Sequence, residues 1–474
     1  MHLRGTVPAA MGVAVVLFAV AVYISVGFLE LSALAPFLEH VEQISHPNAT
    51  RDDIASAVAA HTAACTLALG VGAVTVAGWA GRLSDRFGRR RMAAIPAACQ
   101  CVAMTMVSFA AYNELGWRWI VLGWALQGLC GGPFVFLASA FAYVADHKRQ
   151  EAASQRGRAF SALDGLLLLV ASAGPLVGSV LVVRVGYWGV FATCAAAYAI
   201  ASCTFLLAPP SPQPPAQPLT ACGAWLGTST PVLLWRMFRD PKMRALCVAF
   251  ALALGGMNGG ALTLVFYGLH YLGWRQQEVS TFTAAFTASG AILIAIVHPL
   301  LCRVLGRKVT DLSMIRGAYL GPILYFGLLG LLPRPDIVIF ALLPLFALGP
   351  VGLPHFRACF SLSKADDAQG EQLAAVAALE SLPALYAAPV ASLAFAQFLH
   401  QPRVVLLGCT LLPLAAVVLL WVGVHEHRDA GVEPLTAPTA THAQQPMCIN
   451  SDDSARREAR YTEQLLPATA ASRA

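Results

Sequence analysis

Charge is what this sequence has least of. Only 12% of its 474 residues are charged, against 57% hydrophobic, and the mean hydropathy is +0.65. Soluble domains carry about twice that share of charge, and a water-facing surface of this composition would be largely apolar. A water-soluble fold is thereby excluded. Also missing are a phosphate-cradling glycine loop, a metal-ligand cluster and a nucleophile signature. Those absences argue against an enzyme, an ATP-driven pump, and any resident cofactor or metal. The 12 cysteines do not build a disulfide or zinc framework. All but Cys222 and Cys448 lie in apolar runs, where cysteine behaves as a small hydrophobe.

What is present is a series of apolar stretches near the ~20 residues that cross a bilayer. They fall at about 9–37, 54–80, 92–112, 118–144, 158–183 and 187–208, then at 243–272, 279–302, 312–332, 336–357, 372–399 and 404–424. Runs this long exclude barrel strands and leave helices as the way to satisfy the backbone in lipid. Their many Gly and Ala residues suit close helix approach. The first run is too long for a cleaved signal, whose apolar region spans about 7–15 residues, and is expected to remain as the first span.

The pattern predicts an all-α membrane protein of twelve transmembrane helices in two six-helix bundles. The expected parts are an N-terminal bundle (1–208), a cytosolic linker (209–242), a C-terminal bundle (243–427) and a disordered polar tail (428–474). The linker opens on the Pro-rich run 209–215. It continues with Trp225, Trp235, Met237 and Phe238 beside Arg236, Arg239 and Lys242, a mixture suited to the membrane interface.

Lys and Arg set the orientation. With the N-terminus in the cytosol, only Arg51, Arg118, Arg184, Arg275, Arg334 and Arg403 of the 31 basic residues fall outside. The net charge of +6 is then a topology signal, not a nucleic-acid surface. Both termini are expected to be cytosolic, in the plasma membrane or an endomembrane. Asn48-Ala49-Thr50 is a glycosylation sequon in the first external loop.

Between the second and third stretches lies Gly81-Arg82-Leu83-Ser84-Asp85-Arg86-Phe87-Gly88-Arg89-Arg90-Arg91. This resembles the loop signature of the major facilitator superfamily, in its loop and on its side. The resemblance implies that fold and a gating role for Gly81, Asp85, Arg86, Gly88, Arg89 and Arg90. Gly81 and Gly88 permit a tight turn. Asp85 is expected to accept from a helix N-terminus of the other half, near Gly370 to Ala374, where the dipole is positive. A faded copy, Cys302-Arg303-Val304-Leu305-Gly306-Arg307-Lys308, occupies the equivalent loop of the second half.

Further runs, Phe141-Ala142-Tyr143-Val144-Ala145-Asp146, Arg156-Gly157-Arg158-Ala159-Phe160-Ser161, Arg357-Ala358-Cys359-Phe360-Ser361 and Ala374-Ala375-Val376-Ala377, resemble the proton-coupled folate transporter family and its drug-transporter-like relatives. That resemblance implies proton coupling at Asp164 and substrate or proton binding at Arg357. The chain departs from folate carriers where their seventh-helix His falls at Gly255-Gly256 and their fourth-helix Arg at Trp124. Gly174, Pro175 and Gly178 resemble the helix-bend signature of drug/proton antiporters, and fit ordinary small-residue packing equally.

A charge in hydrocarbon costs at least ~2.5–3.5 kcal/mol on insertion scales, so each one invites a role. Asp164 lies about six residues past Arg158, roughly 9 Å deep at 1.5 Å per residue. Glu380 is nearer the midplane and is also placed to pair with Arg357; Glu30 completes the candidate proton carriers. Arg357, Gln127, Asn258 and His270 are candidate substrate contacts, although amides often only bridge helices; His298 fits packing better.

The expectation is a secondary transporter of a small organic solute, working as a monomer in the bilayer, with the proton as coupling ion and no nucleic-acid partner. The alternatives are drug/proton antiport and a transporter-like receptor or scaffold that does not transport.

Overall fold

The computed structural model describes residues 9–147, 153–210, 229–305, 311–332, 336–361 and 369–425. The prolines at 211–215, the Gly306-Arg307-Lys308 copy of the loop motif and the tail from 428 onward lie outside these residues. Everything described is helix, turn or loop.

The first bundle comprises α1 (Ala9–Ser45), α2 (Arg51–Phe87), α3 (Arg89–Tyr112), α4 (Arg118–Leu129), α5 (Gly132–His147) and α6 (Ala153–Leu207). A short α7 (Thr230–Arg239) leads to α8 (Pro241–Tyr267), α9 (Gln276–Ile292), α10 (His298–Leu305) and α11 (Asp311–Leu331). Next come α12 (Asp336–Ala341), α13 (Leu343–Phe346), α14 (Gly352–Ser361), α15 (Gln369–Gln397) and α16 (Pro402–His425). Among the described residues, ten helical segments are long and apolar enough to cross a membrane. One of them, α6, is broken at Gly186, where φ is +75°, a conformation glycine adopts without strain. It therefore supplies two spans. The run from Asp336 to Ser361 supplies another in pieces, because Pro344 and Pro350 lack an N–H for the helix ladder. The result is twelve crossings in two bundles.

Local signals set the helix ends. Thr50 caps α2 in a reciprocal box, its hydroxyl accepting from the Asp53 N–H while the Asp53 carboxylate accepts from the Thr50 N–H, each at 3.2 Å. The same helix ends at Gly88, whose φ of +96° turns the chain into α3. Two π-helical turns, Gly268–Leu272 after α8 and Leu293–Val297 between α9 and α10, interrupt the second bundle.

The halves meet along two helix pairs. In the first, α2 lies against α15 so closely that a Cβ at Gly70 would collide with the Leu385 backbone. In the second, α6 lies against α9 and the π turn after it, with Ile294 Cγ2 at 3.4 Å from an ideal Cβ on Gly165. Aromatic stacks fill each bundle: Tyr23 on Phe136 at 3.6 Å in the first, Phe250 on Phe356 at 3.7 Å in the second. Phe109, Val183 and Leu207 are exposed large apolar side chains, tolerable where lipid is the solvent.

Candidate functional site

Asp164 sits in the first half of α6, Arg357 in α14 and Glu380 in α15, and the structure brings all three together. The Arg357 Nη1 donates to Asp164 Oδ1 at 2.5 Å, while Nη2 and Nε donate to Glu380 Oε1 at 2.7 and 3.2 Å. The guanidinium also lies over the Phe141 ring of α5, its Cζ 4.2 Å from the centroid. Arg357 is 6% exposed and the two carboxylates are comparably buried. One cation thus serves two anions, so the buried cluster has a formal charge of −1 when all three groups are ionised. Burial of ions is tolerated when they pair, yet Asp164 Oδ2 is buried with no hydrogen-bond partner. The cluster spans both bundles: Asp164 and Phe141 belong to the first, Arg357 and Glu380 to the second.

Glu30 lies elsewhere. Its oxygens accept from Gln127 Nε2 at 2.7 Å and from the Tyr198 hydroxyl at 2.9 Å, and Gln127 Oε1 accepts in turn from Gln100 at 3.4 Å. All four residues belong to the first bundle, and none is basic. Gln127 therefore bridges helices around Glu30. Asn258 is exposed and donates to the Leu254 carbonyl of its own helix at 3.0 Å. His270 stands at the opposite end of the molecule from the α2–α3 turn, its Nε2 3.3 Å from Asp52 Oδ1. Beside it, Arg51 donates to the Leu269 carbonyl at 2.9 Å, a second link between the bundles.

The loop motif ties together the ends of α2, α3 and α5. Arg89 pairs with Asp85 at 2.5 Å and with Asp146 at 3.1 Å, and donates to Ser84 Oγ at 3.2 Å. Arg90 donates to the Ala208 carbonyl at 3.1 Å, and Arg86 lies 5.6 Å from the Phe87 ring centroid. Gly81, Ser84 and Arg89 line a small cavity with Ala374 and Ala377 of α15, so the motif abuts the helix start expected to receive Asp85. The side chains at 370–373 lie outside the described residues.

Gly174 and Gly178 seat α6 on α1. A Cβ at Gly174 would collide with the Ser25 carbonyl, and one at Gly178 would stand 3.0 Å from Leu29. This is close packing beside Pro175. Asn48 is exposed in the turn after α1.

Sequence reasoning gave no role to Phe141, Tyr198, His355 or Asp311. The spacing of His355 two residues before Arg357, in a span whose polar residues are few, was the available signal for His355; nothing local marks Phe141 as the guanidinium's platform.

Twelve helical crossings in two bundles, with buried charges shared between them, are the architecture of a two-bundle transporter. The model of the Major Facilitator Superfamily matches residues 5–388. The chain belongs to that superfamily and is a multi-pass secondary transporter, not an enzyme. Similar solved structures include the human organic anion transporter MFSD10 (TETRAN), at 17% identity over 87% of this chain and 99% of that one, with a TM-score of 0.65. The POT family transporter PepTSo shares 13% identity over 88% of this chain and 98% of its own, with a TM-score of 0.66. The nucleoside transporter NupG shares 11% over 86% and 100%, with a TM-score of 0.57. At these identities the likeness is one of fold.

Proposed function

We propose that the protein is a proton-coupled carrier of a small organic anion, and that Asp164, Arg357 and Glu380 couple the two movements. The observation that carries this reading is the single Arg357 guanidinium held by a carboxylate from each bundle. In that state Arg357 has no charge to offer an anion. A proton on Asp164, for which the unpartnered Oδ2 is the natural seat, removes one anion from the pair. The link between α6 and α14 weakens, the cluster goes from −1 to neutral, and the Arg357 Nη1 donor is released from Asp164 for a carboxylate or similar group of the substrate. Proton and anion then load together, the logic of symport. Their departure restores the ion pair and closes the halves.

The charge bias of the loops supports cytosolic termini and, with them, a cluster toward the cytosolic side. Both bundle halves lie in one chain, which supports function as a monomer with lipid and solute as partners and no nucleic acid. The exposure of Asn48 supports its use as a glycosylation site in a secretory-pathway host. The organic anion named for MFSD10 agrees with an anionic solute here.

The test is uptake of radiolabelled aryl and alkyl carboxylates into proteoliposomes with and without an inward proton gradient. Wild type is expected to accumulate an anion only with the gradient, and Asp164→Asn to lose the gradient's effect. Movement of organic cations against the proton flux would establish antiport instead. Absence of flux from correctly inserted protein would favour a receptor or scaffold.

A further inference from the structure

A second chain of titratable groups lies wholly within the C-terminal bundle. Asp311 opens α11, His355 sits in α14, and His298 opens α10 directly after the π turn Leu293–Val297. His355 Nδ1 is 2.7 Å from Asp311 Oδ1, and His355 Nε2 is 2.7 Å from His298 Nε2. Two ring nitrogens at that distance hold one proton between them, because two bare lone pairs or two N–H groups would repel. The chain also has an open end: the Asp311 side chain is 43% exposed, whereas His355 and His298 are each 9% exposed as residues.

We propose that Asp311, His355 and His298 form a proton relay, a proton-binding site distinct from the Arg357 cluster and leading from solvent into the second bundle. With Asp311 ionised, His355 Nδ1–H donates to it, and His298 Nε2–H donates to His355 Nε2. A proton added at His298 Nδ1 drives the Nε2 proton across to His355. The His355 Nδ1 proton then passes to Asp311 and leaves to solvent. One proton enters at the buried end, one leaves at the exposed end, and each ring remains neutral afterwards. In the reverse sequence a proton enters at Asp311 and passes to His355 Nδ1, His355 hands its Nε2 proton to His298 Nε2, and His298 releases its Nδ1 proton.

The surroundings leave this chain its own carboxylate. On α11, Arg316 donates to the Leu420 carbonyl of α16 and lies 4.5 Å from the Trp421 ring, while Tyr319 is buried against α14 at Gly352. On α14, Arg357 is committed to Asp164 of α6 and Glu380 of α15, and Cys359 completes the titratable groups. The Arg303 side chain of α10 lies outside the described residues. Asp311 is thus the acid in hydrogen-bond contact with the imidazoles. The relay also adjoins the coupling cluster. His355 is two residues from Arg357 on α14, and the π turn before His298 packs on Gly165, the neighbour of Asp164. For its purpose the relay rests on the proton-coupled reading, but its chemistry does not.

The experiment uses the full-length protein in lipid nanodiscs with 15N-labelled imidazoles, followed by NMR from about pH 8 to 5, the histidine range. Wild type is expected to show scalar coupling between the two Nε2 nuclei across the shared proton. Both rings are expected to titrate as a linked pair. His355→Gln should abolish the coupling and leave His298 with one simple step, and Asp311→Asn should move both rings together. A stopped-flow pH jump read with a soluble pH dye should lose one fast proton-exchange component in His298→Gln and in His355→Gln, and keep it in Asp164→Asn. Rings that titrate independently, or an exchange component unchanged in both histidine variants, would overturn the relay. Because the coupling is read in unmodified protein, a variant that fails to fold does not blunt the test. A linked pair without gradient-driven uptake would defeat the transport reading while leaving the relay standing.

Discussion

Two of the buried carboxylate sites described in this protein are held in opposite ways. Glu30 is 4% exposed and is satisfied by a neutral amide and a neutral hydroxyl, all within the first bundle. Asp164 and Glu380 share a guanidinium, and the sharing crosses from one bundle to the other. The first arrangement fastens helices that move together. The second joins parts that a transport cycle must separate, and on the proposed function it is the interaction that a proton on Asp164 releases. A buried acid is therefore informative only with its partners: the same side chain makes a knot inside a bundle and a clasp between bundles.

Perturbing Arg357 should separate the two sets most sharply. Arg357→Ala leaves two carboxylates unpaired, and removing one partner of a buried pair costs about 3–5 kcal/mol. The variant is expected to show the largest drop in thermal stability, measured by a thermal-shift assay in detergent, together with loss of anion uptake. Adding Asp164→Asn and Glu380→Gln to it should recover stability but not uptake. Next in size is Tyr198→Phe, which strips one of the two groups bonded to Glu30 at a cost of about 1–3 kcal/mol. It should lower the melting temperature while leaving the proton dependence of uptake intact. The smallest effect is expected from Glu30→Gln, within about 1 kcal/mol because the amide still accepts from Tyr198. Gradient-driven uptake that survives Glu30→Gln but not Asp164→Asn would sharpen the contrast. Equal loss in both would erase it, by making Glu30 a proton carrier as well.

The twelve crossings were legible because the bilayer imposes a length and a composition on every span. The breaks within spans were less so: the run from Asp336 to Ser361 reads as one apolar stretch, yet it is divided near Pro344 and Pro350. Among the candidate residues, Asp164, Arg357 and Glu380 stand out singly because charge in hydrocarbon is costly, and a pairing of Glu380 with Arg357 is open to a reader of the sequence. The contact of Asp164 with the same guanidinium, 193 residues away, is a product of how α6 meets α14. Gln127 shows the converse. A lone amide in an apolar run can contact substrate or bridge helices, and only packing shows this one donating to Glu30. The Asp311–His355–His298 chain was hidden because Asp311 lies at a span boundary, where an acid is unremarked, and histidines in apolar runs are most often packing residues.

The break at Gly186 has a consequence for biogenesis. A single residue separates the two halves of α6 from regular helix on either side, too short a stretch to rest in water while one span waits in the bilayer for the other. So short a connection favours insertion of the two segments together, as a helical hairpin, and the glycine that shapes the finished protein then also bears on how this part of it is born.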